Sequence, residues 1–254
     1  DNSIPKFSYA SSFGVSSIFP WQRKGVAGFL KRLDLIGVRE QRGKQIVKEL
    51  TGKDAKVVCD PTFLLTTDEW IEALMENEKE RGLERNGELY KIDTPYILAY
   101  VLGERKDVRE EIKKLREQSG LKIVNLPHVD NYHAMDDNLG DINLYDVDPF
   151  DFIRLIRDAE YVVTDSFHGS VFSIQMHKKF LTFYRKPSSE KGNTNSRIDS
   201  LFSILGLSER LYKGDVFNQI KKNIDYGYVD RQVEELRIDS LAFFKQALGL
   251  GRII

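Results

Sequence analysis

The chain has 254 residues, 41% of them apolar, with 38 basic against 39 acidic side chains and one cysteine. Such a chain can bury one large core or two modest ones and shows no sign of disorder. Its net charge of −1 gives no global field to draw it onto nucleic acid, so an anionic substrate must be held by a few placed residues.

No run approaches the roughly 20 apolar residues needed to span a bilayer, and the N-terminus carries no signal-peptide pattern. A cytoplasmic protein is expected, with peripheral association near the inner face of a membrane left open. Cys59, in the apolar run Lys56-Val57-Val58-Cys59, is expected to be a buried strand residue in a reducing compartment.

In chain order, residues 6–11 read as a strand, 23–33 as a helix, 35–38 as a strand, 39–50 as a helix and 57–59 as a strand ended by Asp60-Pro61. A helix starting at Asp68 is expected to dissolve into a charged, glycine-containing linker over 76–93. A second parallel unit follows: strand 96–101, helix 107–118, strand 122–125, helix 149–159 and strand 161–164. It continues with the helix after His168, a strand at 179–184 and a helix at 197–205. A long helix over 229–248 closes the chain. The domains predicted are therefore 1–75, 94–228 and a C-terminal helix over 229–254.

The most informative segment is Tyr161-Val162-Val163-Thr164-Asp165-Ser166-Phe167-His168-Gly169-Ser170. It is an apolar strand that breaks into a polar turn and resumes as a helix. In open α/β sheets ligands bind at the carboxyl ends of the strands, and the first amides of the next helix favour anions. His168 sits at that junction. Asp165 is read as the helix cap, and His177 as marking a helix C-terminus.

Taken with Gly37-Val38-Arg39-Glu40, Thr51-Gly52, Cys59-Asp60-Pro61-Thr62 and 149–152, the Thr164–Gly169 segment closely resembles the polysaccharide pyruvyl transferase family. The resemblance runs over roughly residues 6–210. It implies a GT-B-like fold of two Rossmann-like domains with parallel sheets facing a cleft, the N-terminal one incomplete in this chain. It also implies transfer of a pyruvyl group from phosphoenolpyruvate to sugar hydroxyls in cell-surface polysaccharide biosynthesis. No cofactor is then needed, and the partners are phosphoenolpyruvate and a glycan or lipid-linked sugar; oligomeric state is not indicated. Some relatives carry arginine where this chain has Ser166, so a cation must come from elsewhere. A nucleotide-sugar glycosyltransferase of the same architecture and a noncatalytic carbohydrate- or partner-binding module are the competing readings.

His168 and Arg39 are the expected catalytic residues. A histidine suits proton transfer near neutral pH, and a guanidinium at the end of strand 35–38 can grip a carboxylate or phosphate with two N–H groups. Ser166, Gly169, Ser170 and Arg197 are expected to bind substrate. His128 and His133, among Asp130, Asp136 and Asp137, are expected to line the acceptor site, because their spacing matches no zinc or calcium loop and no metal is expected. The loop from Arg185 to Gly192 reads either as a cover over an anionic ligand or as a solvated surface loop, the commoner outcome.

Overall fold

A computed structural model of the protein describes residues 4–84, 92–128, 132–187 and 195–250. They form two compact units. The first comprises 1–64, 186–208 and 225–254, the second 65–185 and 209–224.

The first unit carries a three-stranded parallel sheet in the order β1 (Phe7–Ser11), β2 (Leu35–Val38), β3 (Lys56–Val57). Helices α1 (Pro20–Lys31) and α2 (Gln41–Thr51) make the crossovers. Ile36, Val38, Val47 and Ala55 pack with Leu30 and Leu33 in one core. On another core, Phe243 meets Ala10 and Val58. Gly37 makes that second contact possible, since a Cβ there would lie 2.8 Å from the Phe243 ring and 2.9 Å from Ser8 O. β1 carries a bulge between Ser8 and Ser11, where Ala10 takes the left-handed φ of 52°.

The second unit holds a five-stranded parallel sheet, ordered β6 (Ile142–Asn143), β5 (Lys122–Asn125), β4 (Tyr96–Tyr100), β7 (Tyr161–Thr164), β8 (Lys179–Thr182). Chain order runs outward from β4 one way and from β7 the other, so the two loops at their carboxyl ends diverge and leave a switch point. Ile97, Ala99, Ile123, Val163 and Leu181 pack against Val108, Ile112 and Leu115 of α4 (Lys106–Ser119) and Val216 and Ile220 of α8 (Val216–Ile220). Two further helices, α5 (Pro149–Asp158) and α6 (Phe167–Gln175), pack together, with Phe152 edge-on to Phe172 and to Tyr100.

Three boundary expectations change. Residues 76–84 are not linker but the end of α3 (Thr67–Glu84), whose charges pair with α5; residues 85–91 lie outside the described residues. Helix α7 (Ser196–Leu205) belongs to the first unit, where Ser200 Oγ accepts the Gln41 amide at 2.9 Å. The C-terminal helix α9 (Tyr226–Ala247) is no appendage but part of that unit: Ser240 Oγ accepts the Cys59 amide at 2.8 Å, and Arg237 Nε donates to Phe63 O at 2.6 Å. Cys59 is buried, and burial pushes its thiol up.

Candidate functional site

The second unit's switch point is built around Asp165. The amides of Leu102 and Gly103, in the loop after β4, donate to its two carboxylate oxygens at 2.7 and 2.8 Å. Burial raises the Asp165 carboxyl above its ordinary range, against the lowering effect of those amides and of Arg185. Asp165 thus ties the two diverging loops together, and it does not cap α6. Ser166 is the cap, its Oγ accepting the Gly169 amide at 3.3 Å.

Ser166, Gly169 and Ser170, expected to bind substrate, make internal contacts. All three are buried. Ser170 Oγ donates to Ser166 O at 3.0 Å and lies 2.7 Å from Thr182 Oγ1. A Cβ at Gly169 would come within 2.5 Å of Thr164 Oγ1, so glycine lets α6 sit down on β7. His168 is the one exposed residue between Tyr161 and Met176. It stands in the first turn of α6, its ring edge-on to Phe167 with centroids 5.5 Å apart.

Arg185 places a cation beside this turn. It follows β8, the strand paired with β7, and its Nε lies 3.9 Å from Asp165 Oδ1 with the side chain 32% exposed. Of the loop that begins at Arg185, residues 185–187 are described and 188–194 lie outside the described residues.

At the carboxyl end of β5, the histidine cluster resolves into a dyad. His128 Nδ1 is 2.8 Å from Asp136 Oδ2, and Arg109 grips Asp136 Oδ1 through Nε and Nη2 at 2.9 and 2.7 Å. Arg109 also donates to Gly103 O at 2.7 Å, so a polar chain runs from Asp165 through Gly103, Arg109 and Asp136 to His128. Burial alone would raise the Asp136 carboxyl, but the bonds from His128 and Arg109 prevail and hold it low. Asp136 thus orients the ring through Nδ1, and the buried Nε2 has no hydrogen-bond partner among the described residues. His133 lies against His128 with ring centroids 4.2 Å apart and planes tilted by 47°. Asp137 accepts from Tyr132 at 2.5 Å instead, and Asp130 lies outside the described residues.

In the first unit, Arg39 follows β2 and its Nη1 is paired with Asp60, beyond β3. Asp60 also accepts from Thr62 N and Oγ1 at 3.1 and 2.8 Å. The guanidinium is therefore oriented by a buried carboxylate rather than loose. Its neighbour Glu40 is fully buried and accepts from Ser12 Oγ and Phe13 N at 3.1 and 2.9 Å, tying the loop after β1 much as Asp165 ties the loop after β4. Arg197 joins this end of the unit, one turn before Ser200, which holds the Gln41 amide.

Two parallel sheets in an α/β chain with site residues after their strands define a GT-B-like protein, and solved structures share that fold. The UDP-GlcNAc 2-epimerase of Neisseria meningitidis, bound to UDP-GlcNAc, superposes with a TM-score of 0.52 at 11% identity over 94% of this chain and 70% of that one. MnaA of S. aureus, solved with UDP, gives 0.52 at 16% over 98% and 69%. The α,α-trehalose-phosphate synthase (UDP-forming) of Burkholderia vietnamiensis gives 0.53 at 9% over 96% and 67%. No curated protein matches the sequence. The family model for polysaccharide pyruvyl transferase matches residues 2–187. The chain belongs to that family of enzymes.

Proposed function

We propose that the protein transfers a pyruvyl group from phosphoenolpyruvate to two hydroxyls of a sugar, forming a ketal and releasing phosphate. The observation that carries this reading is His168, the one exposed residue between Tyr161 and Met176, in the first turn of the helix that follows β7. Protonation of the vinyl carbon makes C2 electrophilic; one sugar oxygen bonds there, phosphate leaves with the C2–O bond electrons, and the second hydroxyl closes the ketal. The enol phosphate carries its own activation, so no cofactor or metal is required. We assign the proton to His168, anion binding to Arg185, and deprotonation of the acceptor to His128, oriented by Asp136. In the first unit Arg39, held by Asp60, and Arg197 are assigned to anionic groups of the substrates. The acceptor is a glycan or lipid-linked sugar handled in the cytoplasm.

The test is incubation with phosphoenolpyruvate and a glycan panel, following phosphate release and gain of acceptor mass. His168→Ala is expected to lower kcat about 10²- to 10⁴-fold with an unchanged thermal melt, and chelators are expected to have no effect. Arg39→Lys is expected to raise KM for phosphoenolpyruvate, because lysine keeps the charge but loses the two-sided grip. Turnover of a nucleotide sugar with none of phosphoenolpyruvate, or full activity in His168→Ala, would refute the assignment.

A further inference from the structure

Helix α1 presents an unusual face to solvent. Trp21, Gly25, Gly28 and Arg32 recur at the i, i+4, i+7, i+11 spacing that lines one side of a helix. Lys24 and Lys31 flank this stripe on one side and Phe29 on the other. Trp21 is 75% exposed and Phe29 70%, while Phe19 stacks on Trp21 with centroids 4.6 Å apart. A Cβ at Gly25 or Gly28 would meet nothing within 4 Å, so the backbone between the rings is bare. Val26 and Leu30 point the other way, Leu30 into the first sheet's core. Core packing therefore accounts for the back of this helix and not for its front.

Charge says what the front meets. Lys24, Lys31 and Arg32 lie on or beside this face, and no acidic residue falls between Phe19 and Leu33, in a chain whose charges nearly cancel overall. Lys53 adds a cation at the helix end, its Nζ holding Lys31 O and Leu33 O at 2.8 and 2.6 Å. Of the neighbouring acids, Glu49 is paired with Arg42 and Asp34 accepts the Lys6 amide. Indole and phenyl rings flanked by lysine and arginine suit the headgroup layer of an anionic bilayer, where rings enter the interface and cations meet lipid phosphates. No described helix is long and apolar enough to cross a membrane.

We infer that the exposed face of α1 docks the protein on an anionic membrane surface, with Trp21 and Phe29 entering the interface. Trp70→Phe in the full chain leaves Trp21 as its single tryptophan. With vesicles of phosphatidylcholine plus phosphatidylglycerol, the protein is expected to co-sediment and the Trp21 emission to shift to the blue; with phosphatidylcholine alone it is expected to do neither. Lys24→Gln with Arg32→Gln should weaken binding about fivefold per cation, or about 25-fold together. Trp21→Ser with Phe29→Ser should abolish it, and thermal melts should stay unchanged because these side chains face open solvent. Equal binding to neutral vesicles, an unshifted Trp21, or wild-type binding by either double variant would overturn the inference. So would a dimer dispersed by Trp21→Ser in a protein that ignores vesicles, since the face would then belong to a second copy of the chain.

Discussion

Gly103 is the point where the switch-point loops come closest. A Cβ there would lie 2.7 Å from Asp165 Oδ2 and 2.8 Å from Arg185 Cγ. Gly103→Ala should push Asp165 off its two amides, costing about 3 kcal/mol, read from the denaturant midpoint, and should lower turnover by displacing Arg185. Asp136 carries a second expectation. Its carboxyl is held low by His128 and Arg109 against the effect of burial. A depressed carboxyl adds stability above its unfolded value, near pH 4, which fades as pH falls through the lower folded value. Asp136→Asn should therefore be less stable at neutral pH and flatter in its acid dependence below about pH 4, as urea melts at several pH values would show. It should also change the pH profile of turnover through His128, an effect a purely structural role would not produce. The place of His168 at a strand–helix junction was legible because a polar turn between an apolar strand and a helix announces itself locally. The Arg109–Asp136 pair spans 27 residues and Arg185 meets Asp165 across two strands, so neither had a spacing to read.

At the scale of elements, the charged stretch after residue 76 misled most. Charge without apolar period normally marks solvated chain, yet here the charges hold α3 to α5. Arg81 reaches Asp148 and Asp151 at 2.8 and 2.9 Å, and Glu78 meets Arg154 and Arg157 at 2.9 and 3.0 Å. Arg154 also pairs with Asp151, and both are buried. Removing one member of a buried network strands its partners, so Asp151→Ala should cost about 3 to 5 kcal/mol. Arg154→Leu with Asp151→Leu should cost less than the sum of the single changes, and a double-mutant cycle by denaturant melts checks both statements. The strands β2, β5 and β7 fell where their apolar runs placed them. The two-residue β6 and five-residue α8 carry too few positions for a period; β6 is ordered instead by neighbours, as in the 3.0 Å bond from Asn125 Nδ2 to Asn143 Oδ1.

Across the whole molecule, the alternation of helix and strand made two parallel sheets legible, but not that the chain returns to its first unit twice, through 186–208 and 225–254. Those returns are specified by distant contacts such as Gly37 with Phe243 and Cys59 with Ser240. A protein ended after Ile224 should keep protection of amides in β4, β5 and β7 while losing it in β1 and β2, as hydrogen exchange would record. Loss throughout would show that the second unit needs α9 as well. The Gly37–Phe243 contact also sets a clock. A ribosome adding about 5 to 20 residues per second delivers Phe243 roughly 10 to 40 s after Gly37. For that interval the first sheet waits with one apolar face uncovered while the second unit is already complete enough to fold, so of the two units the one begun first is the one finished last. Chaperones that shield exposed apolar surface would have their work at the beginning of this chain.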